Sequence, residues 1–386
     1  MFNFPPDLHF VFPGGLNLPA AGRHLSACPA SFKTGIIPKL ILSSFVYKRY
    51  NMETKRISYS EMKSEFKRIL MKQNFSEEKA EKCADIFTIN SLEGIYSHGV
   101  YRFPRFVSYL QKGYVQPDAE PEIVHSAGAL EQWKGNLGPG PLNAEICANR
   151  AMEIAAKNGI GCVAIGNTNH WMRGGTYGWH TAKKGYVFIG WTNTEKNMPA
   201  WGAKSSHLGN NPLVFAVPYK DEAIVLDFAM TQYSYGKIEA TKIEGKELPF
   251  AGGFNKNDQL TKKPDEILET MRGLPIGYWK GAGLSLLLDI LATILSAGLS
   301  THKLSELEAE YGVSQVFIAI DIKKLNNFPA IENTITAIVN DLKESTPIDE
   351  DSFIRYPGER VVQTREENMN NGIPVNKIVW EEIQKL

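Results

Sequence analysis

Between Gly281 and Leu299 the chain runs GAGLSLLLDILATILSAGL, long and apolar enough to span a bilayer, with one acid, Asp289, at its centre. Such a segment has two stable surroundings, lipid or protein. A carboxylate at mid-bilayer is costly, and the chain offers neither a second span nor a basic flanking pattern. The expectation is a helix buried in a protein core, with a partner for Asp289 inside the same fold. At 386 residues there is chain enough for a large core and for two or three lobes around it.

Charge narrows the partners. Lys plus Arg total 42 and Asp plus Glu total 42, so no net field draws the chain to nucleic acid or to an anionic membrane, and neither is expected as a partner. The cysteines Cys28, Cys83, Cys147 and Cys162 are scattered, with no CxxC pair and no Cys/His cluster. That spacing argues against a zinc site or a disulfide scaffold, and fits the reducing cytoplasm.

Residues 1–51 differ from the rest, with many prolines, one acid (Asp7) and five bases. A secretory signal would place a basic region directly before an apolar core. Here the first base is Arg23, and the apolar stretch from Ile36 to Val46 is broken by Pro38 and Lys39. The near-absence of acids is also that of a transit peptide. The plainer reading is an upstream extension outside the fold, with natural translation starting at Met52.

From Met52 onward regular elements are legible. Ser58 and Glu61 form a capping-box pattern ahead of Met62, Phe66, Ile69 and Leu70, which share one helical face. Ser76 opens a second helix with Ala80, Cys83, Ala84 and Phe87 inward. A third, Leu142–Lys157, stops at Asn158-Gly159. Strand-like runs are 162–165, 187–192, 213–217, 223–228 and 313–322. The two flanking Tyr219 to Glu222 predict a hairpin with a loop of four or five residues, hence a sheet that is at least partly antiparallel. The class is α/β, with helices at both ends.

A doubly wound dinucleotide fold would carry GxGxxG between its first strand and helix. That motif is absent, and GNLGPG at 135–140 reads as a proline-stiffened turn. The polar clusters are more informative. In YSHGVYRFP, His98 and Arg102 stand four apart in the lead-in to a helix reaching toward Gly113. A near-neutral imidazole suits proton donation to a carbonyl, and a planar guanidinium suits a carboxylate. Many such pairs are only structural. NTNHWMRGG, with His170 and Arg173, follows a strand end, where α/β proteins place working groups, and it is equally readable as a capped turn. Asp227, inside an apolar run, must be paired: with a ribose hydroxyl, a histidine or backbone amides.

Together the stretches YSHGVYRFPRF (96–106), GALEQW (128–133), NHWMRGG (169–175), WGAK (201–204), GYWKG (277–281) and YGVSQVFIAI (311–320) resemble the type 2 malate/L-lactate dehydrogenase family, over about Met52 to Leu386. The resemblance implies a non-Rossmann fold with a mixed, largely antiparallel sheet, a catalytic domain over 52–386, a cofactor-binding lobe near 127–300, and a homodimer. It implies NAD as the cofactor, with NADP as the alternative, and no metal. By residue it implies His98 as proton donor, Arg102 as carboxylate anchor, and His170 and Arg173 in the substrate pocket. It places the nicotinamide cofactor on Ala223, Ile224, Val225, Leu226, Asp227, Phe228 and Ala229, on Trp279 and Lys280, and on Gly358, Glu359 and Arg360. Glu359 and Arg360 replace the His-Glu pair of near relatives; an acid favours a free ribose 2′-hydroxyl and an Arg favours a 2′-phosphate. The implied reaction is reduction of 2,3-diketo-L-gulonate, a small sugar acid, at its C2 carbonyl. Malate, lactate, ureidoglycolate or a cyclic imino acid are alternatives on the same scaffold, as is a non-catalytic binding protein.

Overall fold

Ser58 and Ser76 cap the first two helices, as their spacing predicts. Ser58 Oγ accepts from the Glu61 amide and Ser76 Oγ from the Lys79 amide. The computed structural model describes residues 53–386, and the expectation for the first 51 residues lies outside them. Helices α1 (Tyr59–Lys72) and α2 (Glu77–Leu92) pack together. They bury Met62, Phe66, Ile69 and Leu70 against Cys83, Ala84 and Phe87. Helix α3 (Phe103–Gln111) closes this cluster with Phe103, whose ring stacks on Phe66 at 4.0 Å. The C-terminal end returns to the same cluster: strand Ile373–Asn376 pairs antiparallel with Thr54–Ile57, and Trp380 joins the core.

The central sheet has seven strands: β1 (Glu122–Ala127), β2 (Leu130–Lys134), β3 (Ile160–Thr168), β4 (Tyr186–Thr192), β5 (Leu213–Tyr219), β6 (Glu222–Phe228) and β7 (Val313–Asp321). Their order is β1-β2-β3-β7-β4-β5-β6. Only β2 with β3 is parallel; the other neighbours are antiparallel. Helix α4 (Gly140–Asn158) ends at Gly159, which has the positive φ of 87° that the sequence anticipates. It packs with α5 (Gly174–Ala182) on one face of the sheet, over Phe188, Val214 and Phe317. In the central strand β7, Val316 points to the opposite face and Phe317 to this one, the period of two expected of a strand buried on both sides. The β5–β6 hairpin is tighter than expected. Tyr219 pairs with Glu222, leaving a two-residue turn in which Lys220 takes φ 53°.

The apolar segment forms helix α6 (Trp279–Ser296), and here the expectation of full burial needs correction. One face lies on the sheet through Gly281, Ala282, Ser285, Leu288 and Ala292. It is tied there by polar bonds: Trp191 Nε1 donates to Leu288 O, and Asn211 Nδ2 donates to Ser285 O. The other face carries Leu284, Leu286, Leu287, Ile290, Leu291 and Ile294, all exposed. A fully apolar helix signals burial all round, but sequence cannot say which surface covers each side. Asp289 does have its internal partners, accepting from Asn193 Nδ2 at 2.9 Å and the Thr301 amide at 2.8 Å.

Candidate active site

His98 ends a short 3₁₀ turn, Tyr96–His98, docked on the end of α2. Gly99 permits that docking, since a Cβ there would lie 2.2 Å from Ser91 Oγ and 2.9 Å from Phe87 O. Asn90 Nδ2 donates to His98 O at 3.0 Å, and Thr176 Oγ1 of α5 donates to Asn90 Oδ1 at 2.6 Å. The histidine is thereby braced from two elements. Its Nδ1 lies 3.0 Å from Ser97 Oγ. Arg102 immediately precedes α3, with Pro104 in the helix's first turn.

The loop after β3 brings His170 to this place. The His98 and His170 rings lie 5.8 Å apart and near-parallel, at 24°. The Met172 amide donates to His170 Nδ1 at 3.0 Å, which leaves the His170 proton on Nε2. Met172 adopts φ 67°, a left-handed conformation worth roughly 1–2 kcal/mol of strain for a side-chain-bearing residue. The His170 contact and the burial of Met172 hold it there. Burial, then the charges of Arg102 and Arg173, push His98 down to about 3. Burial likewise drives His170 well below the usual imidazole range, with Arg102 the next cause. Burial, with Arg105 nearby, lowers Arg102 to about 10. Two neutral imidazoles among cations form a place that welcomes an anion.

Beside them is a recess lined by Arg102, Arg105, Phe106, Tyr109, Val115, Asn169, His170 and Met172. Arg105, Asn169 and Tyr109 were not singled out by sequence, although Arg105 stands three residues after Arg102 and so shares its helical face. Arg173 is expected in the substrate pocket, yet it does not line this recess. Its guanidinium is buried and held by the Glu93 carboxylate, and Glu93 also accepts from Arg365 Nε at 2.8 Å. Arg365 continues to Glu222 at 2.9 and 3.0 Å. No local pattern in the sequence marks Glu93, because its partners come from distant segments.

The three segments expected to hold a cofactor converge on the edge strand β6. The Val225 amide donates to Pro357 O at 3.1 Å. Gly358, at φ 92°, sits so close that a Cβ would lie 3.2 Å from Val225 N and 3.1 Å from Trp179. The Ile276 amide donates to Met230 O, which brings the start of α6, with exposed Trp279 and Lys280, to the far end of β6. Asp227 lies within this strand and its carboxylate is paired, Oδ2 accepting from the Gly175 amide at 2.8 Å, while burial raises its pKa. Ala223 and Val225 point inward, Leu226 outward, and Ile224, Phe228 and Ala229 are half-buried. Glu359 opens a helix (Glu359–Asn371), with both carboxylate oxygens 2.6 Å from Lys343 Nζ, and Arg360 beside it is exposed. An edge bounded by Gly358, with the Asp227 and Glu359 carboxylates and the exposed cations Lys280 and Arg360, fits a dinucleotide.

Comparison with known proteins agrees with this architecture. A family model described as malate/L-lactate dehydrogenase matches residues 57–384. The 2,3-diketo-L-gulonate reductase of Pasteurella multocida (strain Pm70) is 46% identical over 332 residues, 86% of this chain and 100% of that protein. The protein of the same name from Salmonella newport (strain SL254) is 44% identical over the same shares. Among solved structures, malate dehydrogenase from Pyrococcus horikoshii OT3 superposes with a TM-score of 0.78 at 28% identity, covering 88% of this chain and 98% of that one. Malate dehydrogenase from Entamoeba histolytica gives 0.82 at 24% identity, covering 86% and 97%, a likeness of fold.

Proposed function

Since this chain belongs to the malate/L-lactate dehydrogenase family, we propose that it reduces 2,3-diketo-L-gulonate to 3-dehydro-L-gulonate with a reduced nicotinamide dinucleotide, NADH first and NADPH as its rival. The observation that carries this reading is the approach of His98 to His170 beside Arg102, which lines the adjoining recess. Arg102 holds the substrate carboxylate through parallel charge-assisted bonds. His98 then stands over the adjacent C2 carbonyl and gives its proton to the oxygen as charge develops there. Burial is the main cause that depresses His98 and Arg102 the next, so a carboxylate on Arg102 offsets the second of these and favours the protonated imidazole. His170 offers its Nε2 hydrogen to the developing alkoxide or to a neighbouring oxygen. Residues of β6 with Trp279 and Lys280, in a lobe near 127–300, would hold the dinucleotide together with Gly358, Glu359 and Arg360 from the C-terminal segment. When bound, the nicotinamide supplies the hydride.

The exposed apolar face of α6 supports a homodimer, since its other face is hydrogen-bonded to the sheet and cannot be surrounded by lipid. The free thiols of Cys83, Cys147 and Cys162 suit a cytoplasmic setting. The direct test assays 2,3-diketo-L-gulonate, oxaloacetate, pyruvate and a cyclic imino acid with NADH and with NADPH. The diketo sugar acid should give the highest kcat/KM. A better substrate among the other three, or no turnover with any, refutes the reading.

A further inference from the structure

The Asn169 side chain is buried, and half of its amide is unused. Its Nδ2 donates to Leu137 O at 2.8 Å and to Tyr114 O and Gly138 O at 3.1 Å each. Three carbonyl partners fix which end of the amide carries the hydrogens. Its Oδ1 is buried and has no hydrogen-bond partner among the described residues. Leaving such an acceptor unmet costs about 1–3 kcal/mol, and native folds keep few of them without a use. Asn169 lines the recess that Arg102, Arg105 and His170 also line.

Arg105 supplies the complementary group. Its Nη2 donates to Tyr109 Oη at 2.9 Å, and its guanidinium lies over the Tyr109 ring, 5.4 Å from the centroid. That contact orients the fork and, among the described residues, is its only side-chain hydrogen bond. The charges of the acids Glu310 and Glu195 also act on it, and the N–H donors of the fork that do not reach Tyr109 can meet a ligand.

We propose that Arg105 and the Asn169 Oδ1 form a donor–acceptor pair that reads hydroxyl groups on the substrate's carbon chain, beyond the carboxylate held by Arg102. This rests on the functional reading above and assigns the residues that would select a polyhydroxylated 2-oxo acid. A hydroxyl satisfies both partners, because it accepts from Arg105 and donates to Oδ1. A methyl group satisfies neither. A second carboxylate meets Arg105 but turns its own lone pairs toward Oδ1, an acceptor that has no hydrogen to give it. The recess therefore ranks a sugar acid above a dicarboxylate, and a dicarboxylate above a short alkyl acid.

Equilibrium binding tests this without turnover. L-Gulonate, succinate and butyrate are titrated calorimetrically into the protein, with and without NADH. Wild type should bind gulonate more tightly than succinate and succinate more tightly than butyrate. Arg105→Gln should weaken gulonate about ten-fold or more, the loss expected for hydrogen bonds to a charged group, and leave butyrate within about two-fold. Arg105→Lys keeps the charge but not the fork, so gulonate should fall further than succinate. Circular dichroism and Tm confirm the fold of each variant, and if one fails to fold, the wild-type ranking and the other variant still decide. Equal weakening of all three ligands, no weakening of gulonate, or succinate binding best in wild type would overturn the proposal. Should gulonate preference and its Arg105 dependence hold while 2,3-diketo-L-gulonate is not turned over, the functional reading fails and the hydroxyl subsite stands.

Discussion

Glu93→Gln should be among the most damaging single changes outside the recess. The carboxylate is almost wholly buried and serves two guanidiniums, Arg173 and Arg365. Removing its charge leaves Arg173, itself 5% exposed, with no counter-charge in ion-pair contact among the described residues. Arg365 suffers less, because Glu222 still holds it. Breaking one side of a buried pair costs about 3–5 kcal/mol, chiefly from the stranded charge. Residues 53–386 have an unfolding entropy of about 0.7 kcal/mol/K, from about 2.1 cal/mol/K per residue, so Tm should drop by about 4–7 °C. Calorimetry at fixed protein concentration measures this, with concentration fixed because assembly shifts Tm. Adding Arg173→Met to Glu93→Gln removes the stranded charge and should restore part of the loss. A drop of less than about 1 °C in the single variant, or a double variant less stable than the single, would refute the account.

Other outcomes follow from the same geometry. His98→Gln should lower turnover by roughly 10²–10⁴-fold while NADH binding, followed by tryptophan fluorescence, is retained; near-normal turnover removes His98 from the chemistry. Arg102→Lys should reduce kcat/KM by roughly ten- to a hundred-fold and erase most of the preference for an acid over its amide; unchanged discrimination would move the anchor elsewhere. His98 is held at about 3, and burial beside Lys184 holds His180 at about 4, whereas an unfolded imidazole titrates near 6.5. The unfolded chain takes up protons first, so stability should be full above about pH 6.5 and decline as pH falls through 4 toward 3; a His180→Gln variant with an unchanged acid slope of Tm would contradict this. Leu287→Glu with Ile294→Glu, on the exposed face of α6, should yield a monomer by light scattering without loss of helix content; an unchanged mass places the contact on another surface.

By itself the sequence determined whatever depends on neighbours within a few residues. The Ser58 and Ser76 caps, the Gly159 stop, the inward faces of α1 and α2 and the central strands all follow from backbone hydrogen-bond demands and from periods of 3.6 or 2. It also excluded a GxGxxG cradle, and it put His98 one short turn from Arg102. Tertiary structure alone decided what meets across distance. The sequence carries no mark that Asn169 would lose an acceptor to burial, that Glu93 would gather Arg173 and Arg365, or that Gly358 would press on Val225. Nor could the uniform apolarity of α6 reveal that the sheet takes only one of its faces, since a hydrophobic side chain is equally content against its own sheet or another surface. Burial and long-range pairing are properties of the packed whole, because desolvation and charge act through space and not along the chain.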